Sequence, residues 1–84
     1  MVTVLYFAGL RERLECATER CALPAGTATV ATLVDSLRTR GARWAEAFAQ
    51  GGTWRVAVNQ RMADAATPLK PGDEVAFFPP VTGG

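Results

Sequence analysis

The hydrophobic residues of the chain fall into short segments whose spacing predicts alternating strands and helices. Residues 2–8 form an apolar run rich in β-branched and aromatic side chains, and both parities of the run are apolar, which predicts a central strand. After Gly9, the segment 10–14 predicts one helical turn with Leu10 and Leu14 on the same side. Residues 18–23 alternate in polarity and predict a second strand that returns against the first.

The most regular helical pattern begins after Pro24-Ala25-Gly26 ends the second strand. Thr29 is a suitable N-cap, and the apolar residues behind it recur at helical spacing to form one stripe: Val30, Leu33, Val34 and Leu37. Arg38 and Arg40 lie in the predicted last turn, where their charge opposes the helix dipole, and Gly41 predicts the stop. With Arg43 these cations could instead form a docking patch for an acidic partner, although exposed charges near helix ends more often face water.

The second half of the chain predicts a short helix and three further strands. Trp44, Ala47 and Phe48 have helical spacing, Gly51-Gly52 closes that segment, and such aromatics belong more often to a core or lid than to a ligand site. Residues 54–59 predict a third strand, followed by a turn at 59–61 and a short edge strand at 62–65. A tight connection through Pro71-Gly72 leads into the last strand at 74–78.

These elements predict an α+β fold with one mixed sheet of about five strands and one main helix across one face. A right-handed crossover places the last strand parallel to the first, which is the β-grasp, or ubiquitin-like, arrangement. We expect residues 1–78 to form this domain and residues 79–84 to form an extended C-terminal tail. Strand parity assigns one apolar set to the core: Val2, Val4, Tyr6, Trp54, Val56, Val58, Val75 and Phe77.

The opposite face of the sheet has no second helix to cover it. It carries Phe7, Phe78 and, on the edge strand, Met62. Exposed apolar clusters of this kind often mark interfaces, so we predict a partner-docking surface next to the tail. The alternative is that loops or the Leu10 segment cover these side chains.

Composition narrows the classes of function. The chain has 84 residues with a net charge of +1 and nine basic side chains, which gives no nucleic-acid footprint. It lacks a long apolar run and a recognisable leader, so we expect a cytosolic protein with no membrane partner. The chain has no histidine, and Cys16 and Cys21 are five residues apart. We therefore expect passive thiols and no metal site, a redox or metal role of the cysteines being the alternative.

The final segment holds the candidate chemistry. Pro79 and Pro80 end the last strand and stiffen the tail, and six residues extend up to roughly 20 Å. Gly83 and Gly84 carry no Cβ, so the tip is slender enough to be inserted into another protein, where it would present the α-carboxylate of Gly84. The plainer interpretation is an inert chain end.

Two stretches resemble a known family. They are Val58-Asn59-Gln60 and the run Pro68-Leu69-Lys70-Pro71-Gly72-Asp73-Glu74-Val75-Ala76-Phe77-Phe78-Pro79-Pro80-Val81-Thr82-Gly83-Gly84, with a weaker match at Val4-Leu5-Tyr6-Phe7-Ala8 and Arg11-Glu12. The segments are similar to those of the small, sulfur-carrying subunit of molybdopterin synthase.

The resemblance implies that an ATP-dependent, E1-like enzyme adenylates Gly84 and that a sulfur donor converts it to a thiocarboxylate. Gly83 would give steric clearance, and Pro79, Pro80, Val81 and Thr82 would thread the tail into the large subunit. The sulfur would pass to cyclic pyranopterin monophosphate in molybdenum cofactor biosynthesis, within a heterotetramer of two small and two large subunits. The resemblance also implies that the chain is a carrier without catalytic residues and without a permanently bound cofactor.

Three alternatives stay open on the residues alone. One is a sulfur carrier of the same fold for thiazole or cysteine synthesis. Another is a ubiquitin-like modifier that is joined through Gly84 to lysines of target proteins. The third is an interaction domain with an inert tail.

Overall fold

The computed structural model describes residues 1–23, 28–49 and 54–79. Within these ranges the chain forms five strands and three helices. In chain order they are β1 (Val2–Tyr6), α1 (Ala8–Leu14), β2 (Thr18–Cys21), α2 (Val30–Arg38), α3 (Ala42–Ala47), β3 (Arg55–Val58), β4 (Arg61–Ala63) and β5 (Glu74–Phe78).

The strands form one mixed sheet in the order β2-β1-β5-β3-β4. β1 and β5 pair in parallel, with Val4 opposite Val75 and Tyr6 opposite Phe77. The other three pairs are antiparallel. The predicted β-grasp arrangement is therefore confirmed, and it places the strand before the tail at the centre of the sheet.

Helix α2 begins where the sequence predicts. The Thr29 backbone N–H donates to Thr32 Oγ1 at 2.8 Å, and the Thr32 N–H donates to Thr29 Oγ1 at 3.3 Å, a reciprocal cap that satisfies two N-terminal N–H groups. The predicted apolar stripe of α2 is buried, and it comprises Val30, Leu33, Val34 and Leu37. Tertiary burial of this stripe is what stabilises so short a helix.

The predicted end of α2 is one residue too late. The helix ends at Arg38 and Thr39 is its C-cap, so Arg40 lies beyond the helix. Gly41, at φ 143°, is the N-cap of α3 rather than the stop of α2. A glycine between two helical segments can serve either one, and the sequence alone does not distinguish the two roles.

The core occupies the space between the sheet and the helices. Seven of the eight residues predicted from parity are buried, and Trp54 is half-buried against them. Phe77 contacts three aromatic rings, with centroid distances of 6.2 Å to Tyr6, 5.0 Å to Phe48 and 5.6 Å to Trp54. Helix α1 adds Leu10 and Leu14, as predicted.

Some strand boundaries differ from the prediction. β1 ends at Tyr6, because Ala8 adopts φ 51° and starts α1. β3 and β4 are joined by the two residues Asn59 and Gln60, both at positive φ (51° and 67°), which is typical of a tight hairpin. The stops predicted at Pro24-Ala25-Gly26 and Gly51-Gly52 lie outside the described residues.

Candidate functional site

The tail leaves from the central strand of the sheet. β5 is hydrogen-bonded to β1 on one side and to β3 on the other, and half-buried Pro79 follows it directly. Proline donates no N–H, so the ladder cannot continue through it. The root of the tail is thus fixed by the sheet, whereas Pro80, Val81, Thr82, Gly83 and Gly84 lie outside the described residues.

The open face of the sheet carries the predicted apolar surface. Phe7 is 47% exposed and Met62 is 64% exposed, and Phe78 is half-buried. Between them lie half-buried side chains from three strands, namely Leu5, Ala57 and Ala76. We call these six residues the docking face.

Backbone pairing brings the docking face together. Leu5 and Ala57 are both Cα partners of Ala76, and Met62 is opposite Ala57, so these four residues form one row across the sheet. Tyr6 is opposite Phe77, which places Phe7 and Phe78 side by side one position further on. The loops and α1 leave Phe7 and Met62 accessible, and their role as a partner interface stays a prediction.

Phe7 is held in place by its backbone. Its N–H donates to Phe77 O at 3.0 Å, and its carbonyl accepts from Leu10 N at 3.2 Å. The next residue, Ala8, has φ 51°, a conformation that costs a residue with a Cβ about 1–2 kcal/mol. The ring is therefore presented by a rigid and locally strained turn beside the tail root.

The Asn59 and Asp73 side chains, both within the stretches that carry the family resemblance, connect the β3–β4 turn to the start of β5. Asn59 Nδ2 donates to Asp73 Oδ1 and Asn59 Oδ1 accepts from Glu74 N, both at 3.0 Å. Asp73 Oδ2 also accepts from Lys70 N at 3.0 Å. The hydrogen bonds from Asn59 and Lys70 hold the pKa of the buried Asp73 carboxyl below its ordinary value. These residues of the resembling stretches therefore hold the start of β5, the strand that precedes the tail.

Replacing Asn59 by glycine is expected to lower the free energy of unfolding by roughly 1–2 kcal/mol at neutral pH, since both side-chain hydrogen bonds are lost while glycine tolerates the positive φ. Asp73 contributes stability above the ordinary carboxyl pKa, and that contribution is lost as the pH falls through its lowered pKa. The gap between the variant and the wild type should therefore shrink in acid. Urea unfolding at neutral and acidic pH measures it, with Gln60→Gly in the same turn as the control. A gap independent of pH would contradict this assignment.

The structure also contains a partly exposed polar cluster at the β2 edge, which the sequence does not predict. Tyr6 Oη donates to Glu19 Oε2 at 2.7 Å, and Arg40 Nη1 donates to both Glu19 oxygens at 2.9 and 2.7 Å. The Arg40 guanidinium also lies 4.7 Å from the centre of the Trp44 ring. Burial raises the pKa of Glu19, but the hydrogen bonds from Arg40 and Tyr6 outweigh it and keep the pKa below its ordinary value. The cluster ties the α2–α3 connection to the sheet.

The three arginines considered as a docking patch all have acidic partners within the chain. Arg40 pairs with Glu19 at 2.7 Å, Arg43 pairs with Glu15, and Arg38 lies 3.9 Å from Asp35. Exposed pairs of this kind contribute little to stability, but they engage the guanidinium groups. The arrangement favours charges satisfied within the chain over a patch for an acidic partner.

The cysteines show no sign of reactivity. Cys21 is buried, Cys16 is half-buried, and both are free thiols. Burial raises the pKa of each thiol, which lowers the thiolate fraction on which nucleophilicity depends. In the part of the chain that the structure describes, no group of three acidic or cysteine side chains is placed to hold a metal ion, and no helix is long and apolar enough to cross a membrane.

Comparisons with known proteins place this geometry in a family. Residues 4–84 match the model of the ThiS family. The chain is 43% identical to the molybdopterin synthase sulfur carrier subunit of Escherichia coli (strain K12) over 84 residues, which is 100% of both chains.

Comparison with solved structures finds similar proteins. A putative molybdopterin converting factor subunit 1 from Pyrococcus furiosus superposes with a TM-score of 0.77 at 31% identity, covering 95% of this chain and 97% of its own. SAMP1 from Haloferax volcanii gives 0.79 at 30% identity, covering 99% and 98%. Subunits 1 and 2 of the molybdopterin-converting factor from Helicobacter pylori have been solved as a complex that gives 0.65 at 25% identity, covering 99% and 97%. The chain therefore belongs to the ThiS family, among the molybdopterin synthase sulfur carrier subunits.

Proposed function

We propose that this chain is the sulfur carrier of molybdopterin synthase, with Gly84 as the carrying residue. The observation that supports this most directly is the full-length match to the sulfur carrier subunit of Escherichia coli, 43% identical over 100% of both chains. The α-carboxylate of Gly84 becomes a thiocarboxylate and donates its sulfur to cyclic pyranopterin monophosphate. The chain carries the reacting group, and its partners supply the catalysis.

The carboxylate needs activation before sulfur can replace oxygen, because oxide is a poor leaving group. In the proposed sequence a carboxylate oxygen of Gly84 attacks the α-phosphorus of ATP on an E1-like adenylating enzyme, and pyrophosphate leaves. Sulfide-level sulfur from the donor (HS⁻) then attacks the acyl carbon, AMP departs and the sulfur loses its proton, so the C–O bond to AMP is exchanged for the C–S bond of the thiocarboxylate. Gly83 and Gly84 leave the acyl carbon open to both reactions, and residues 79–82 thread the tail into the active site.

The role of the folded domain is to position the start of the tail. The parallel and antiparallel ladders on either side of β5 fix the direction in which Pro79 leaves the sheet. A docked domain presents the tail at a defined starting point, which reduces the entropy lost when the terminus reaches the reaction centre.

We further propose that the docking face binds the large subunit. The complex of subunits 1 and 2 from Helicobacter pylori supports a large-subunit partner, and we infer a heterotetramer of two small and two large subunits. Phe7, Phe78 and Met62 are the expected anchors, since aromatic side chains near the centre of an interface often carry much of its binding energy. The activating enzyme and the sulfur donor are further proposed partners, and a cytosolic location stays a prediction.

Replacing Phe78 by alanine is expected to weaken binding to the large subunit at least tenfold, because a buried aromatic anchor would be lost. The thermal midpoint should change little, as Phe78 lies on the open face. Isothermal titration with the purified large subunit measures the affinity. Arg61→Ala is the control, since Arg61 is exposed but is opposite buried Val58 and so has the other parity of the sheet. Equal affinities for the wild type and Phe78→Ala would remove Phe78 from the interface.

The carrier role is tested by incubating the chain with ATP, a candidate activating enzyme and a sulfur source, and by measuring its intact mass. The expected shift corresponds to the replacement of one oxygen by sulfur, and fragmentation should place it on Gly84. An unmodified terminus, under conditions that charge an established carrier of the family, would overturn the proposal.

A second candidate function is favoured by the similarity to SAMP1 from Haloferax volcanii, with a TM-score of 0.79, and to a structure of small archaeal modifier protein 1 from the same organism, with a TM-score of 0.70. In this alternative the activated Gly84 is transferred to lysine amines of other proteins. Conjugates that survive a denaturing gel and disappear without ATP would support it. A carrier for thiazole or cysteine synthesis is distinguished by its failure to convert cyclic pyranopterin monophosphate with the large subunit.

A further inference from the structure

The open face of the sheet carries a charged side chain, Arg55, in the row of residues nearest the tail. Arg55 is the Cα partner of Phe78, and its neighbour Val56 is buried in the core. Strand alternation therefore places Arg55 on the open face with Phe78. Since Phe7 lies on the other side of Phe78, the three residues form one row: Phe7, Phe78 and Arg55.

Arg55 is exposed and makes no ion pair with a side chain of the described residues. The described part of the chain contains every acidic side chain of the sequence, and none of them is within ion-pair distance of Arg55. Arg38, Arg40 and Arg43 each have such a partner. The guanidinium of Arg55 is therefore available to another molecule.

The charge is also isolated on this face. Glu74 and Arg20 lie at the far end of the face, both next to Thr3, where their opposite charges largely offset each other. Glu74 is four residues from Phe78 along β5, or roughly 13 Å, which exceeds the screening length of about 8 Å at physiological salt. Of the charged side chains on the open face of the described sheet, Arg55 is therefore the one nearest the tail root.

We propose that Arg55 is a rim determinant of docking that pairs with a carboxylate of the large subunit beside the channel that receives the tail. This inference rests on the proposed function, because it takes the docking face as the contact with the large subunit. A charge at the rim of an apolar interface steers encounter and fixes orientation more than it adds affinity. Here it aligns the domain so that the tail meets its channel.

The test measures association rate constants of the wild-type chain, Arg55→Gln and Arg55→Glu with the purified large subunit by stopped flow, from ~0.05 to ~0.5 M salt. At low salt Arg55→Glu is expected to associate about tenfold more slowly, with Arg55→Gln in between, and the rates should converge at high salt. The dissociation rates should change much less. Circular dichroism checks that each variant is folded.

Arg61→Glu is the matched control. It makes the same change in net charge on the same sheet, but Arg61 is opposite buried Val58 and has the other parity. If Arg55→Glu associates at the wild-type rate, or if Arg61→Glu slows association equally, the inference is wrong while the proposed function stands. If the wild-type chain does not bind the large subunit at all, both are overturned.

Discussion

Adding one alanine after Gly84 is expected to abolish thiocarboxylate formation while leaving the domain folded. The extra residue moves the reacting carboxylate by about 3.5 Å along the tail and places a methyl group beside the acyl carbon. A misplacement of ~1 Å can already cost about a hundredfold in rate, so no sulfur transfer should be measurable. Mass spectrometry after incubation with the activating system follows the modification.

The control for this extension separates length from side-chain bulk. Adding a glycine instead of an alanine gives the same displacement without the methyl group, and both extended chains should be inactive if position is decisive. Both should bind the large subunit through the docking face with at most a modest loss, and their unfolding curves should match that of the wild type. Normal charging of either extended chain would falsify the assignment of Gly84 as the carrying residue.

Replacing Phe77 by alanine is expected to destabilise the domain by about 3–5 kcal/mol, the usual cost of removing a fully buried aromatic ring. Its ring packs on Tyr6, Phe48 and Trp54 at 5.0 to 6.2 Å. An 84-residue domain has a total stability of roughly 4–13 kcal/mol, so this one change removes a large share of it. Urea unfolding followed by circular dichroism measures the loss.

Phe78→Ala is the natural comparison, because it makes the same change in the neighbouring residue on the other face of β5. We expect it to cost less than about 1.5 kcal/mol in stability while weakening partner binding, whereas Phe77→Ala should lower stability far more and affect binding only through its smaller folded fraction. Similar losses of stability in both variants would mean that the open face is packed as tightly as the core.

Local patterns were sufficient to predict most of the fold. The stripe of α2 and its Thr29 cap are encoded within ten consecutive residues, and strand alternation placed Tyr6 and Phe77 in the core. The parallel pairing of β1 with β5 followed from the handedness of crossovers. These features depend on periodicity and chain geometry, both of which can be obtained from a single sequence.

Features that depend on distant partners or unusual backbone angles could not be predicted. Tyr6 and Arg40 meet at Glu19, from which they are separated by 13 and 21 residues, and no local pattern marks such a cluster. Ala8 takes a left-handed conformation that its residue type disfavours, so the end of β1 was placed too late. In the candidate site, strand parity predicts the apolar side chains of the docking face. The role of Gly84, by contrast, is predicted only by the resemblance to a family.

The parallel pairing of β1 with β5 has a consequence for how the protein is made. The first strand to be synthesised completes its pairing in the centre of the sheet only with the last one, so the sheet closes through contacts between opposite ends of the chain. Long-range closure of this kind slows folding and delays it until nearly the whole chain has left the ribosome. A prematurely terminated chain that lacks β5 would have neither a closed sheet nor Phe78 on its docking face. Such truncated chains should stay unfolded and be degraded by proteases. Folded domains without a tail, which would compete for the same partner, should therefore not accumulate.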